Sequence, residues 1–325
     1  MPAKVYSDKD ADLKHLQNKT LAVLGFGSQG HAHALNLKDS GCKVIIGLYE
    51  GSKSIPVAES KGFEVVSTAE AVRRADVIFV AIPDTKQARA YERDIAPNLA
   101  PGKTLSFASG FNVLYGAIKP PSDVNVVLYV PNSPGHLVRE KFLAGSGVYG
   151  AVAVDQDVTG QAWEIVLALA KSCGSTRVGV VAVDFEWETE GDNFEEQVLY
   201  GGTIALMRAT YETLVAHGCA PHFAYAKAIR SLRSVVDVMD EVGIEAYIST
   251  KSSRTCEFAV RTSGPRVVDR EQIEAIYDET ARGSFAAQWM QEWQLGMPQL
   301  HRMRRTGASS DMERTGEQWR ELFGS

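Results

Sequence analysis

Gly25, Gly27 and Gly30 of LAVLGFGSQGHAHALNLKDSG fall as G-x-G-x-x-G directly after a β-branched run and at the start of a helical one. In that setting Gly25 permits a tight turn, Gly27 lets backbone approach a pyrophosphate and Gly30 allows close helix–sheet packing, while the helix N-terminus attracts the anion. A purely structural glycine turn would not need the strand before it, the helix after it and a second strand ending at Gly47, so the spacing points to dinucleotide binding. The segment Leu48–Ser54 (LYEGSKS) then falls where an adenosine ribose would lie. Glu50 could accept hydrogen bonds from ribose hydroxyls, as NAD requires, whereas Ser52, Lys53 and Ser54 could donate to the 2′-phosphate of NADP. Three donors against one acceptor favour NADP, with NAD as the alternative through Glu50.

Other reactive groups are sparse. Cys42, Cys173, Cys219 and Cys256 are scattered, with no close C-x-x-C pair, so neither a zinc site nor a disulfide framework is signalled and a reducing cytoplasm fits. His31 and His33 lie on the helix after the glycines and His136 in a later loop; each reads as structural. Trp187, Tyr225, Trp289 and Trp293 read as core or interface aromatics. The segment Asp184–Glu196 (DFEWETEGDNFEE) holds seven acids and no base.

Two domains are needed to position these groups, because 325 residues is about twice the usual single-domain size. With 45% hydrophobic and 23% charged residues the composition is that of a globular protein, and a net charge of -6 argues against nucleic acid or an anionic membrane as main partner. A small-molecule substrate is the default. MPAKVYSDKDADLKHLQNKT has no apolar run, so neither a signal peptide nor a membrane span is expected there. Strands are predicted at 21–24, 43–47, 63–66, 76–82, 104–107, 125–130, 150–154 and 177–183, and helices at 27–39, 68–75, 85–95 and 161–172. This is the alternation of an α/β, doubly wound, mostly parallel Rossmann-like domain over residues 1–183. Beyond it, apolar residues recur at helical spacing (Leu206, Tyr211, Leu214, Val215; Ile229, Leu232, Val236, Met239), which predicts an all-α domain over 184–325.

GFGSQGHAHALNLKDSG, GLYEGSKS, SGFN, PNSPGHLVRE, ETEGDNFEEQ, YETLVAHG and SGPRV together resemble the short, class I ketol-acid reductoisomerases along nearly the whole chain. The resemblance implies a Rossmann domain joined to an interlocked helical domain, a homodimer or higher homo-oligomer, and an active site at the dimer interface. It also implies a Mg²⁺-assisted alkyl migration followed by hydride transfer from NADPH. On that likeness the coenzyme set takes in Phe26, Ser28, Gln29, Tyr49, Pro83, Asp84, Gln87 and Gly135 beside Gly25, Gly27, Gly30, Ser52 and Ser54.

Four positions depart from the family pattern. Asp192 and Glu196 match its first pair of metal carboxylates, but Lys227 and Ser231 stand where it has two glutamates, Asn132 where it has a lysine, and Ser109 where it has a histidine. An ammonium cannot ligate Mg²⁺, so at most one Mg²⁺ is expected, on Asp192 and Glu196; the other reading of that pair is a solvated acidic helix start. Lys227 is either a surface lysine or a fixed positive charge standing in for the missing cation. Ser253 is the nearest match to the family's substrate-carboxylate serine. Between Glu196 and Gly201 the chain runs one residue short of the pattern, which turns the later side chains by about 100° around a helix axis.

The expected function is therefore an NAD(P)H-dependent reductase of a C=O or C=N acceptor that has lost the alkyl migration, in specialised biosynthesis. Its catalytic set would be Asp192, Glu196, Lys227, Ser109 and Ser253. Two alternatives stand beside it: an authentic ketol-acid reductoisomerase with rearranged ligands, and a non-catalytic dinucleotide-binding homologue.

Overall fold

The computed structural model describes residues 3–324. The chain divides into two compact units, Met1–Gly191 and Asp192–Ser325. The first is built on nine strands: β1 (Val5–Tyr6), β2 (Thr20–Leu24), β3 (Lys43–Leu48), β4 (Glu64–Ser67), β5 (Val77–Val80), β6 (Thr104–Phe107), β7 (Asn125–Pro131), β8 (Gly150–Gln156) and β9 (Val180–Ala182). They form one sheet in the order β1-β9-β8-β7-β6-β5-β2-β3-β4. The β1/β9 and β7/β8 pairs are antiparallel and all the others parallel. The chain winds outward in one direction from β2 through β3 and in the other from β5, so the β2/β5 junction is a topological switch point, where such sheets leave a crevice beyond the strands' carboxyl ends.

Strand alternation supplies two cores. Leu21, Val23, Val77, Phe79, Val127 and Tyr129 face one side, while Ala22, Leu24, Ile78, Val80, Leu105, Phe107, Val126 and Leu128 face the other. Burial on both faces is why these strands read as continuous apolar runs. The helices of this unit are α1 (Ser28–Asp39), α2 (Ile55–Ser60), α3 (Thr68–Arg74), α4 (Asp84–Ala90), α5 (Phe111–Leu114), α6 (Gly135–Leu143) and α7 (Ala162–Ser172). Leu37 of α1 and Ile165, Val166 and Leu169 of α7 cover the first face, and Ala71 and Val72 of α3 the second.

The expected strands all form, those at 76–82 and 177–183 within narrower bounds. The last is the most altered: Ser175–Arg177 winds as a 3-10 turn, and only Val180–Ala182 pairs. The expected helix at 85–95 is α only to Ala90 and continues as a π turn over Tyr91–Ile95. Strand β1, two residues in a polar segment, and helices α2, α5 and α6 are additions that sequence periodicity does not predict.

Helix α8 (Phe185–Glu195) runs across the division between the units. The second unit is helical: α9 (Gly201–Ala216), α10 (Pro221–Tyr225), α11 (Ser231–Val242), α12 (Ile244–Ala246), α13 (Arg254–Thr262), α14 (Arg270–Ala281), α15 (Ser284–Gln294), α16 (Pro298–Ala308) and α17 (Asp311–Phe323). Its largest cluster of buried apolar residues is small, made of Tyr211, Ala224, Tyr225, Ala228 and Met312. The Tyr211 hydroxyl donates to the Asp311 carboxylate at 2.8 Å, tying α9 to α17. Leu206, Val236, Phe258 and Val267 are exposed, Phe258 to 70%.

One buried titratable group lies beneath α1. The His33 ring stacks on Phe79 with centroids 4.2 Å apart, meets Tyr129 edge-on, and brings Nδ1 to 3.5 Å from the Cys173 thiol. Burial holds its pKa down at about 3 and pushes the Cys173 thiol up to about 12. His33 is thus neutral in the fold but protonates in the unfolded chain below about pH 6.5, so stability is complete above that pH and declines as pH falls toward the folded value. The slope from this residue approaches about 1.4 kcal/mol per pH unit in that window. Urea midpoints measured between pH 7.5 and 5 should fall more steeply for the parent protein than for His33→Phe; identical slopes would show that His33 does not contribute.

Candidate functional site

The residues expected to hold a coenzyme all follow the carboxyl ends of β2, β3, β5 and β7. Gly25 follows β2 at φ 101°, and a Cβ there would lie 2.7 Å from the Ala81 carbonyl oxygen just beyond β5. A Cβ on Gly30 would lie 2.4 Å from the Gly25 carbonyl oxygen, and one on Gly135, the first residue of α6, 1.9 Å from that of Ser28. These three contacts are backbone against side-chain position, so the loops after β2, β5 and β7 are pressed together around the first turn of α1. Gly27 is different: it is exposed, and a Cβ there would meet nothing within 4 Å.

Gly27 is also the N-cap of α1, and no side chain caps that end. The first N–H groups of a twelve-residue helix are therefore left without a side-chain cap, the arrangement that binds a phosphate through hydrogen bonds and the helix dipole. Beside it, Gln29 donates to the Ser133 carbonyl at 3.0 Å, while its buried Oε1 has no hydrogen-bond partner among the described residues. Phe26 is buried with its ring edge-on to Phe63 and His31. Such an uncapped cradle fits a dinucleotide pyrophosphate.

Pro83, Asp84 and Gln87 lie on the loop after β5 and the start of α4. Gln87 is buried, and its amide donates to the Ile82 carbonyl at 2.7 Å and the Asp84 carboxylate at 2.9 Å. Asn112 in turn donates to the Asp84 carbonyl at 3.1 Å and to Gln87 Oε1 at 3.2 Å. Asn112 is a positioning residue that sequence reasoning passed over, although it ends the SGFN segment; its buried amide ties the loop after β6 to the loop after β5. Ser109, half-buried in that segment, accepts from the Phe111 N–H at 3.4 Å. Gly110 leaves room for α8: a Cβ there would come 2.7 Å from the Phe185 ring, so the same loop packs on the first turns of that helix. Asn132 is exposed and donates its backbone N–H to the Tyr149 carbonyl.

On the β3–α2 turn, Tyr49, Glu50 and Lys53 are exposed, Ser54 is half-buried and Ser52 is buried. Along α8, Asp192 makes no ion pair among the described residues and is open to water at its surface. Desolvation by surrounding protein, and then the charge of Glu195, raises its pKa above the ordinary aspartate value. Glu196 opens a π turn, Glu196–Tyr200, which breaks the α-helical phase. Two more π turns hold other expected site residues or their neighbours: Ala226–Arg230 contains Lys227, and Tyr247–Lys251 precedes Ser253. Lys227 is exposed, with Nζ 5.2 Å from the Phe223 ring centroid and no ion pair among the described residues. The Ser231 hydroxyl donates to the Ala226 carbonyl at 3.1 Å. Ser253 is the N-cap of α13, accepting from the Cys256 N–H at 3.1 Å. Among the described residues, no three His, Cys, Asp or Glu side chains converge on one metal position.

A parallel sheet with a switch point, a glycine loop and an open helix N-terminus defines a Rossmann-type dinucleotide-binding protein, followed here by a helical unit. Residues 15–179 match the acetohydroxy acid isomeroreductase NADPH-binding domain, and residues 185–324 the ketol-acid reductoisomerase C-terminal domain. A solved NADH-preferring ketol-acid reductoisomerase from an uncultured archaeon superposes with a TM-score of 0.94 at 35% identity, covering 99% of this chain and 100% of its own. The chain belongs to the ketol-acid reductoisomerase family of NAD(P)H-dependent oxidoreductases. More distant structures share the fold alone: an NAD-binding semialdehyde dehydrogenase protein from Cupriavidus necator (TM-score 0.64, 20% identity, 83% of this chain and 99% of that one) and a pyrroline-5-carboxylate reductase from Coxiella burnetii (0.55, 14%, 82% and 97%). Among the described residues no helix is long and apolar enough to cross a membrane.

The glycines separate binding from folding. Gly27→Ala should keep the thermal midpoint of the parent within about 2 °C, since its Cβ meets no protein atom, yet weaken coenzyme binding at least about tenfold by filling the approach to the helix N-terminus. Gly30→Ala should lower the midpoint by several degrees through its backbone clash. Calorimetry with coenzyme titration checks both, and equal losses of stability in the two variants would contradict the assignment.

Proposed function

We propose that this protein is an NAD(P)H-dependent reductase that works on a C=O or C=N acceptor without the two-metal alkyl migration of its family. The observation that carries the reading is the pair Lys227 and Ser231 where two carboxylates would be needed. Lys227 is a cation, and the Ser231 hydroxyl is engaged with the backbone of its own helix. Neither fits a second Mg²⁺, so no step is drawn through one. Asp192 and Glu196 offer at most a single-ion or proton-donating pair.

The bound dihydronicotinamide would supply the hydride. The protein's part is to orient it and to manage charge at the acceptor. The open first turn of α1 anchors the pyrophosphate, and the Gln87–Asn112 network stiffens the two loops flanking the crevice. Reducing an imine needs a proton on nitrogen or a negative charge that stabilises the iminium; a carboxyl of raised pKa serves as the proton donor, and its ionised form serves as the counter-charge. Asp192 carries that feature, and Glu196 follows it at the start of the π turn that succeeds α8. Reduction without rearrangement suits a specialised biosynthetic pathway, and four free cysteines suit a reducing cytoplasm.

A homodimer completes this reading. In the second unit Phe258, Val267, Ile204, Leu206 and Val236 are all at least about half exposed, apolar surface that a second copy would cover. In such a dimer Lys227 of one copy provides a fixed positive charge for the acidic α8 of the other.

Incubation of the pure protein with 2-acetolactate, Mg²⁺ and either coenzyme should give no turnover above background, while a panel of 2-keto acids and cyclic imines should contain an oxidant of the bound reduced coenzyme. Robust acetolactate turnover would favour an authentic ketol-acid reductoisomerase, and inertness to the whole panel a non-catalytic binder. Light scattering should give a mass of at least two chains. The Lys227→Glu, Ser231→Glu double variant should gain Mg²⁺ binding by calorimetry at least about tenfold over the parent; no gain would remove Lys227 from the site.

A further inference from the structure

We propose that the Tyr149 phenol donates the proton that completes reduction of a carbonyl acceptor, an inference that rests on the reductase reading above. Strands β7 and β8 run antiparallel and pair Val130 with Ala151 and Pro131 with Gly150. The pairing carries one step past β7, where the Asn132 N–H donates to the Tyr149 carbonyl at 3.0 Å. Residues paired across two strands share a face of the sheet, and successive pairs alternate between faces. A Cβ on Gly150 would lie against the Tyr129 ring, so Pro131 and Gly150 face the α7 side. Asn132 and Tyr149 therefore turn to the other side, where Phe185 of α8 packs on the Gly110 loop. Tyr149 is 53% exposed, and its hydroxyl makes no hydrogen bond among the described residues. Other phenols near these strands are engaged: that of Tyr129 lies 2.8 Å from Ser175 Oγ, and that of Tyr91 donates to the Lys119 carbonyl at 3.1 Å.

The same corner borders the coenzyme cradle. Next to Asn132, the Ser133 carbonyl accepts from Gln29 in the first turn of α1 at 3.0 Å, and Gly135 presses on Ser28. A dinucleotide with its pyrophosphate at that turn and its adenosine beyond β3 sends its nicotinamide half across the switch point, over the ends of β5, β6 and β7. An acceptor lying on that half is brought to the Tyr149 corner. Ser109 and Asn132 offer a hydroxyl and an amide, neither an effective proton donor at neutral pH, whereas tyrosine is one of the side chains that serve as general acids. Hydride addition to the acceptor carbon sends the C=O π pair onto oxygen, that oxygen takes the phenolic proton, and the exposed phenolate recovers a proton from water. One carbonyl, one reduced coenzyme and one proton thus give an alcohol and the oxidised coenzyme. Asp192 remains the donor proposed for an imine.

Tyr149→Phe in the full-length protein removes only the hydroxyl. With 2-oxobutanoate or hydroxypyruvate as acceptor, kcat should fall at least about a hundredfold. The Kd for reduced coenzyme, read by tryptophan fluorescence, should stay within about twofold of the parent and the thermal midpoint within about 2 °C. Independently of turnover, nitration of Tyr149 by tetranitromethane, followed by peptide mass, should proceed in the free protein and be suppressed when oxidised coenzyme and 2-oxobutanoate are bound together. Equal kcat in parent and variant, or undiminished nitration of the ternary complex, overturns the assignment of Tyr149 and leaves the reductase reading standing. A parent that reduces cyclic imines but neither keto acid does the same. A parent inert to keto acids and imines alike sinks the reductase reading, and this inference with it.

Discussion

Everything at the carboxyl edge of the sheet depends on how closely backbone approaches backbone around the first turn of α1. Gly25 lies against Ala81, Gly30 against Gly25, and Gly135 against Ser28, each with no room for a side chain. These contacts clamp three loops that belong to β2, β5 and β7, strands that the sheet order places on both sides of its switch point. The clamp fixes where α1 begins, and therefore where its uncapped N–H groups point. A helix terminus buried without partners would be costly. Here the terminus is left open toward the crevice instead, which makes an anion its natural complement.

The scaffold was legible in the sequence because each strand buried on both faces must be apolar throughout, and the helix between β2 and β3 is announced by glycines that serve its start. Elements with weaker signatures were not. Two residues of β1 pair with β9 without any apolar run, and α6 begins at a Pro-Gly step whose role emerges only when Gly135 is seen against Ser28. Periodicity was also blind to the π turns. A π turn shifts every later side chain around the helix axis without changing the composition, so the spacing between Glu196 and Gly201 could not reveal which way later residues face.

Side-chain orientation was the other illegible quantity. Ser52 and Gln87 are polar residues at the expected places, and sequence alone cannot tell a hydroxyl or amide offered to a ligand from one engaged with its own loop. Burial decides this, and burial depends on residues far away in the chain: Gln87 is covered and bonded partly through Asn112, on a different loop. Ser253 shows the same ambiguity in the helical unit, where its hydroxyl caps α13. In each case a local hydrogen bond competes with a ligand for the same atom.

The structure also changes what the glycine motif can say about function. Gly30 and Gly135 are fixed by backbone contacts, so a chain that had abandoned coenzyme would still need them in order to fold. Their presence is evidence for the fold. Gly27 faces empty space, is exposed, and would accept a Cβ without displacing any protein atom; glycine also serves less well than serine, asparagine or aspartate as a helix N-cap. A residue that the fold does not require, in a position where a better cap is available, is explained by something that must come close to the backbone there. Asp192 and Lys227 are informative for the same reason. Both are exposed and free of ion pairs within the described chain, so the fold constrains them little, and the chemistry of the acceptor is written in such positions more than in the motif that first identifies the domain.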